Sequence, residues 1–493
     1  MNMDKYRTIL QAKEGELDAL KDKAASCPWK PFYHIHPEFG LMNDPNGLAF
    51  FNGEYHVFYQ WYPYGPIHGM KHWGHVKSKD LSHWERMPVA IIPTENYESH
   101  GAYSGGALAK DDQLYLYYTG NIKFGDESHM RDANQCLAVL DNGGEIQKHE
   151  KNPVIEGTPE GYTGHVRDPK VWKQGDSYYM VLGAQRENET GTLIIYESGD
   201  AVDWSLKGEL KTNLGEFGYM WECPDYFQLD GRDVLVFSPQ GIGNETGNNF
   251  QNIFNVIYAV GKMDLEKLEF IVEHYQEIDK GFDFYAPQTF EGKDGRRLMF
   301  AWAGVGETEF PSDKNMWAHM LTLPRELHLD GNILKQKPAN ELKSLRSGRI
   351  RFEGSTQGTR VLEDIGGNAV EMSVRMSPDD AALFGLELFH SNQEGFRIEF
   401  DRMLKAVSID RRKFNNPIKS EKRGIRTAGW IPSDQVELTI FIDKSIVEIF
   451  IDDGETVFTS RVFPEAESIG VQLFSDKMVH WQVDQFNLTR GIE

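Results

Sequence analysis

A chain of 493 residues is longer than one ordinary hydrophobic core supports, so two domains are expected. Its formal net charge of −23 argues against a nucleic-acid backbone or an anionic membrane surface as partner, while a small anionic substrate needs only a local cluster of positive charge. The cysteines Cys27, Cys136 and Cys223 are scattered, form neither a disulfide framework nor a metal-ligand pattern, and suit a reducing cytoplasm.

The chain opens with MNMDKYRTILQAKEGELDALKDKAAS, which lacks the apolar core of a signal peptide. It reads as a polar helical extension over residues 1–28, with a sparse stripe of Tyr6, Ile9, Leu10, Leu17 and Leu20 packed on the main body. No later run is long enough to cross a bilayer as a helix. Short strands punctuated by Gly and Asp, in a chain with 12% aromatic residues, point to an all-β protein.

Between residues 29 and 335 one design recurs five times: a polar start, a short apolar run, a tight turn and an aromatic-rich strand. The units are DPNGLAFFNGEYHVFYQW from Asp44, SGGALAKDDQLYLYYTG from Ser104, DPKVWKQGDSYYMVLGA from Asp168, ECPDYFQLDGRDVLVFSP from Glu222 and YAPQTFEGKDGRRLMFAWAG from Tyr285. Their turns, near Gly53, Asp112, Gly175, Gly231 and Gly295, lie roughly 60 residues apart. SKDLSHW from Ser78 returns as SGDAVDW from Ser198, two units later. A unit of this length with several short strands fits one blade, and five make a five-bladed β-propeller. The innermost strands of such a ring line a central channel, so residues at the unit starts collect at one end of it. Asp44, Asp168 and Glu222 stand there in units one, three and four, with Ser104 and Tyr285 in units two and five. Three carboxylates at one opening repel one another, which is unfavourable unless they serve a ligand.

Cleavage of a glycosidic bond requires two carboxyl groups, one to protonate the leaving oxygen and one to attack or activate water. A third can hold sugar hydroxyls and strengthen as positive charge develops. Asp44 sits among turn amides that would stabilise its ionised form, which suits a nucleophile. Glu222 lies between Met220-Trp221 and Cys223-Pro224, apolar neighbours that would favour the protonated acid. Asp168 follows Arg167 and reads as an orienting group. Trp61, Trp73, Tyr103, Trp221, Tyr285 and Trp302 lie at or beside unit starts and ends, and offer flat apolar faces to a sugar. Cys223 has no base placed beside it, so it reads as a small apolar neighbour of Glu222.

MNDPNG (Met42 to Gly47), RDP (Arg167 to Pro169) and ECP (Glu222 to Pro224) resemble glycoside hydrolase family 32, the β-fructosidases. The resemblance extends through FYQWYPYGPIHGMKHWGH (Phe58 to His75), YSGG (Tyr103 to Gly106), FYAPQTF (Phe284 to Phe290) and WAGVG (Trp302 to Gly306). It implies a retaining enzyme with its site on a propeller and a β-sandwich behind. Asp44 would be the nucleophile, Glu222 the acid/base and Asp168 the transition-state stabiliser. Asn43, Gln60, Trp73, Tyr103, Ser104, Arg167, Tyr285 and Trp302 would contact sugar, and no cofactor is implied. The WYPYGPIHGMKHWGH segment, the N-terminal helix and the missing signal peptide are most similar to family members acting inside bacteria on sucrose 6-phosphate. Sucrose itself is a second substrate on this reading.

Lys71, with His68 or His72, is then a candidate contact for a phosphate on the leaving glucose, the alternative being solvated rim residues. The spacing of His68, His72 and His75 suits zinc, but no acidic or cysteine partner lies close by, and no metal is expected.

After PREL (Pro324 to Leu327) and the polar connection NELKSLRSGR, residues 350–493 change texture. AVEMSVRM, VELTIFID and KSIVEIFIDDG alternate at period two, which reads as a β-sandwich. It carries no chemical cluster, and is expected to cover the propeller, shape one wall of the cleft or mediate self-association. Two other functions stay open: the same chemistry on fructans or in fructosyl transfer, and a non-catalytic sugar-binding propeller, which should lack one of the three carboxylates.

Overall fold

The computed structural model describes residues 3–124, 130–242, 247–418 and 424–493. Five antiparallel blades surround a channel. Their innermost strands are Gly40–Phe51, Ala107–Lys110, Tyr162–Gln174, Met220–Leu229 and Tyr285–Glu291. Each expected turn falls between the first two strands of its blade, because Gly, Asn or Asp at those positions accepts the positive φ that a tight hairpin requires. The SKDLSHW echo is physical. Asp80 Oδ1 accepts the amides of Ser82 and His83, and Asp200 Oδ1 those of Val202 and Asp203, so both blades turn by one device.

Among the described strands, two parallel pairings join the blades. Trp317–Ala318, drawn from the segment following the second strand of blade five, adds to the innermost strand of blade one and closes the ring. Ser205–Thr212 of blade three pairs with Glu269–Glu277 of blade four at their outer edges, which covers both.

The N-terminal extension departs from one continuous helix. Only Glu16–Ala25 is α-helical; Tyr6 and Ile9 lie in short 3-10 turns, and Leu10 is 69% exposed rather than packed. Tyr6, Ile9, Leu17 and Leu20 do pack on the main body as the stripe requires, and hydrogen bonds pin the segment further. The Met70 amide donates to Lys5 O (2.8 Å), the Ile9 amide to His72 Nε2 (3.0 Å) and the Tyr64 hydroxyl to Thr8 O (2.7 Å).

Downstream, one continuous ten-stranded sheet folds over itself. Strand Gly470–Leu488 pairs along one half with Ala369–Ser377 and along the other with Leu383–His390, passing between layers. Val370, Met372, Val374 and Met376 are buried as the alternation requires, as are Val436, Leu438, Ile440 and Ile442. Ile446–Ile451 is buried on both faces, Glu448 included, because its second face packs against the propeller through Arg325 and the Leu323 amide. Among the described residues no helix is long and apolar enough to cross a membrane.

Candidate active site

Irregularities in the innermost ladders build the site. In blade three Arg167 pairs with Gly183 and Lys170 with Val181, leaving Asp168-Pro169 opposite one residue. Blade four repeats this with Cys223-Pro224 between Glu222 and Asp225, and blade five with Ala286-Pro287 between Tyr285 and Gln288. Such β-bulges bend a strand and re-aim its side chains. The first bulge residue adopts positive φ each time: 66° at Asp168, 48° at Cys223 and 49° at Ala286. Outside glycine such conformations cost roughly 1–3 kcal/mol and concentrate at functional sites.

The bulges also correct the alignment of the units. Glu222 shares its position with Arg167 and Tyr285, while Asp168 shares its position with Cys223, one residue later. Asp44 is the second residue of the equivalent bulge in blade one, between Met42 and Pro45, so the acids reach the channel mouth from three different slots. They converge all the same: the Cys223 thiol lies 3.8 Å from Asp44 Oδ2 and 3.5 Å from Asp168 Oδ2. In blade two the YSGG segment brings Ser104 to the centre. A Cβ on Gly105 would meet Tyr117 O at 1.8 Å, so only glycine permits that approach.

Asp44 accepts hydrogen bonds from Ser104 Oγ (2.5 Å) and Asn43 Nδ2 (3.1 Å). Side chains thus take the place of the expected turn amides. Asn43 also donates to Gln60 Oε1, and Gln60 donates to Ser104, which makes a closed ring of polar groups around Asp44. Asp168 receives the Cys223 amide (2.9 Å) on Oδ2. Glu222 is far from apolar. Arg167 Nε and Nη2 reach Oε1 at 3.0 and 2.7 Å, while Gln240 Nε2 and the Tyr285 hydroxyl reach Oε2 at 2.6 and 2.7 Å. The apolar sequence neighbours mislead because Trp221 points away and stacks on Phe237.

A pocket of about 470 Å³ opens over these groups. Asn43, Asp44, Gln60, His68, Lys71, Tyr103, Arg167, Asp168, Glu222, Tyr285 and Trp302 line it, while Ser104, expected to contact sugar, is fully buried behind them and reaches the site through its hydrogen bond to Asp44. Two further expected contacts lie elsewhere. Trp73 is fully buried in blade one, its indole donating to Tyr103 O, and His72 is turned toward the N-terminal segment, where its Nε2 accepts the Ile9 amide. Trp61 and Trp221 are likewise core residues. Lys123, Arg131, His165, Gln240 and Phe254 line the pocket without any sequence signal having marked them, as does Tyr6, which the sequence marked only as a packing residue of the N-terminal stripe. No described residue of the sandwich lines it, so the cleft wall expected from that domain is absent there.

Burial sets the electrostatics. It holds Asp44 above the usual carboxylate range, against the Ser104 hydrogen bond and with the nearby Glu222 charge adding to the rise. Asp168 is pushed up by burial and, despite Arg167, by Glu222 and Asp44. Lys71 is pulled down to about 7 by burial, partly offset by Asp44. Burial and neighbouring Asp168 and Asp44 raise the Cys223 thiol well above its ordinary value, so it is inert as a nucleophile.

The arrangement of a buried carboxylate ringed by polar side chains, a second carboxylate held by arginine and a third beside them fits glycoside cleavage. The chain is 42% identical over 463 residues to the sucrose-6-phosphate hydrolase of Vibrio alginolyticus, covering 93% of this chain and 91% of that one. It is 40% identical to the sucrose-6-phosphate hydrolase of Bacillus subtilis (strain 168), covering 91% and 92%. The solved sucrose-6-phosphate hydrolase of Lactobacillus gasseri superposes with a TM-score of 0.92 at 32% identity, over 99% of both chains. The N-terminal domain of glycosyl hydrolases family 32 matches residues 34–338 and the C-terminal domain residues 341–489, and the chain therefore belongs to glycosyl hydrolase family 32.

Proposed function

We propose that this enzyme hydrolyses the β-fructofuranosidic bond of sucrose 6-phosphate, and of sucrose, in the cytoplasm. The observation that carries the reading is the convergence of Asp44, Asp168 and Glu222 on one pocket, in a chain whose relatives are sucrose-6-phosphate hydrolases. Asp44 attacks the anomeric carbon of the fructosyl unit while Glu222 protonates the departing oxygen. Glu222 then takes a proton from water, which releases fructose from Asp44. Asp168 grips fructose hydroxyls, since its Oδ1 receives no hydrogen bond among the described residues.

The proton of Glu222 belongs on Oε2, because Arg167 occupies Oε1 with two N–H groups. The Tyr285 hydroxyl suits both states. It donates to Oε2 when Glu222 is ionised, and can turn to the Ser238 carbonyl, 3.3 Å away, when Oε2 carries the proton. The test is a panel of sucrose, sucrose 6-phosphate, raffinose and inulin on purified protein. The reading expects fructose release from the first two, fastest from the phosphorylated sugar. Preference for inulin, or no release from either sucrose, would reject it.

A further inference from the structure

We propose that Lys123 and Arg131 bind the phosphate of the phosphorylated leaving sugar, with Tyr6 of the N-terminal segment fixing Lys123 in place. This rests on the substrate reading above and assigns its specificity to residues outside every motif in the sequence.

The sequence candidate, Lys71, is already committed. Its Nζ donates to Asn43 Oδ1 at 2.6 Å and lies 3.1 Å from His68 Nδ1, and Asn43 in turn contacts Asp44. It therefore belongs to the scaffold of the fructose-side carboxylate. Burial leaves it only partly charged near neutrality, which makes it a weak partner for a dianion. His68, pushed well below its ordinary value by burial and by Lys71, is neutral, and His72 faces away.

Lys123 and Arg131 face each other as the last ladder pair of the hairpin formed by strands Gln113–Lys123 and Arg131–Leu140. Directly opposed residues of an antiparallel pair hold their Cβ atoms about 5 Å apart, close enough for both heads to grip one phosphate. Both line the pocket, as do Tyr6 and Tyr103. The Lys123 ammonium donates to Tyr6 Oη at 3.0 Å. Although burial opposes its charge, Tyr103 and Tyr6 hold Lys123 above its ordinary value. Arg131 sits within the electrostatic reach of Arg167, Tyr103 and Glu222. That is the side of the proposed acid, and the leaving sugar departs toward the acid. The pair thus stands where a phosphate on the leaving sugar arrives, in a chain whose net charge would otherwise repel it.

The experiment measures kcat/KM for sucrose 6-phosphate and for sucrose with Lys123→Ala, Arg131→Ala, the double variant, Arg131→Lys and Tyr6→Phe. The ratio of the two values should fall about 10- to 100-fold in each alanine variant, as expected for loss of one charged hydrogen bond. It should fall further in the double variant, by a few-fold in Tyr6→Phe, and be largely kept in Arg131→Lys. Inorganic phosphate should inhibit the wild type competitively and the double variant far less. A wild type that prefers the phosphorylated sugar, with that preference surviving in the double variant, overturns this assignment alone. A wild type with no preference overturns it together with the substrate reading.

Discussion

At the seam between propeller and sandwich, Asp279, Asp443 and Glu448 are as buried as Asp168 at the channel mouth, and more so than Asp44, but their lone pairs are filled. Asp443 accepts the amides of Phe32, Tyr33 and His34 and the His34 ring. Glu448 accepts the Leu323 amide, the other His34 nitrogen and two N–H groups of Arg325. Asp279 accepts two amides, the Thr459 hydroxyl and Arg325 Nη1. At the mouth, Asp44 has two side-chain donors besides a distant thiol, and both contacts to Asp168 fall on one oxygen. Burial of acids therefore serves opposite ends in the two regions. Saturated acids lock two domains together, while undersaturated ones are kept ready for sugar hydroxyls and a reacting carbon.

The contrast can be broken at either end. Asp44→Ala should abolish fructose release by roughly 10⁴-fold or more without lowering the thermal midpoint, since it removes a buried, incompletely satisfied charge. A near-wild-type rate would remove Asp44 from the chemistry. Arg325→Met should do the reverse, destabilising the fold by about 3–5 kcal/mol in urea titration because Glu448 and Asp279 lose their cation. Its kcat per folded molecule should stay close to that of the wild type. Lys71→Ala should depress turnover of sucrose and of sucrose 6-phosphate about equally, by roughly tenfold, since it loosens Asn43 beside Asp44. A loss confined to the phosphorylated sugar would return Lys71 to the phosphate site.

The smallest effect is on stability. The folded state holds Asp168 above its unfolded value, so below the unfolded pKa both states are protonated and burial of the group costs nothing in ionisation. As pH rises, the unfolded chain ionises first, and this contribution to stability is lost through the folded pKa. Asp168→Asn should therefore raise the thermal midpoint at pH 8 and leave it unchanged near pH 3. A rise of the same size at both values would show that ionisation is not the cause.

The architecture was legible because its signals are local. The turns at Gly53, Gly175 and Gly231 need particular residues, and their even spacing exposes five similar hairpins. The meeting of the three acids was legible from the same repeat. The one-residue offset between Asp168 and Glu222 was not, because matching acid to acid hides a bulge that the prolines, Pro169, Pro224 and Pro287, mark more faithfully. The polar setting of Glu222 was hidden for a similar reason, since its donors come from neighbouring strands and not from the residues beside it. Trp73 and His72 belong to a motif rich in sugar-binding chemistry, but they face the core and the N-terminal segment respectively. Tyr6, Lys123 and Arg131 reach the pocket from segments of ordinary composition. Glu448 falls off the apolar phase of its alternating strand, and it is buried only because the propeller supplies a second face.

The strand that Trp317–Ala318 lends to the first blade has a consequence for manufacture. Residue 44 leaves the ribosome long before residue 317, so blade one waits with an open edge until the last blade has been synthesised. Unpaired edges invite association with other chains, which makes this interval the vulnerable moment in the life of the molecule. Catalytic competence accordingly arrives all at once, when the circle shuts, rather than accumulating blade by blade.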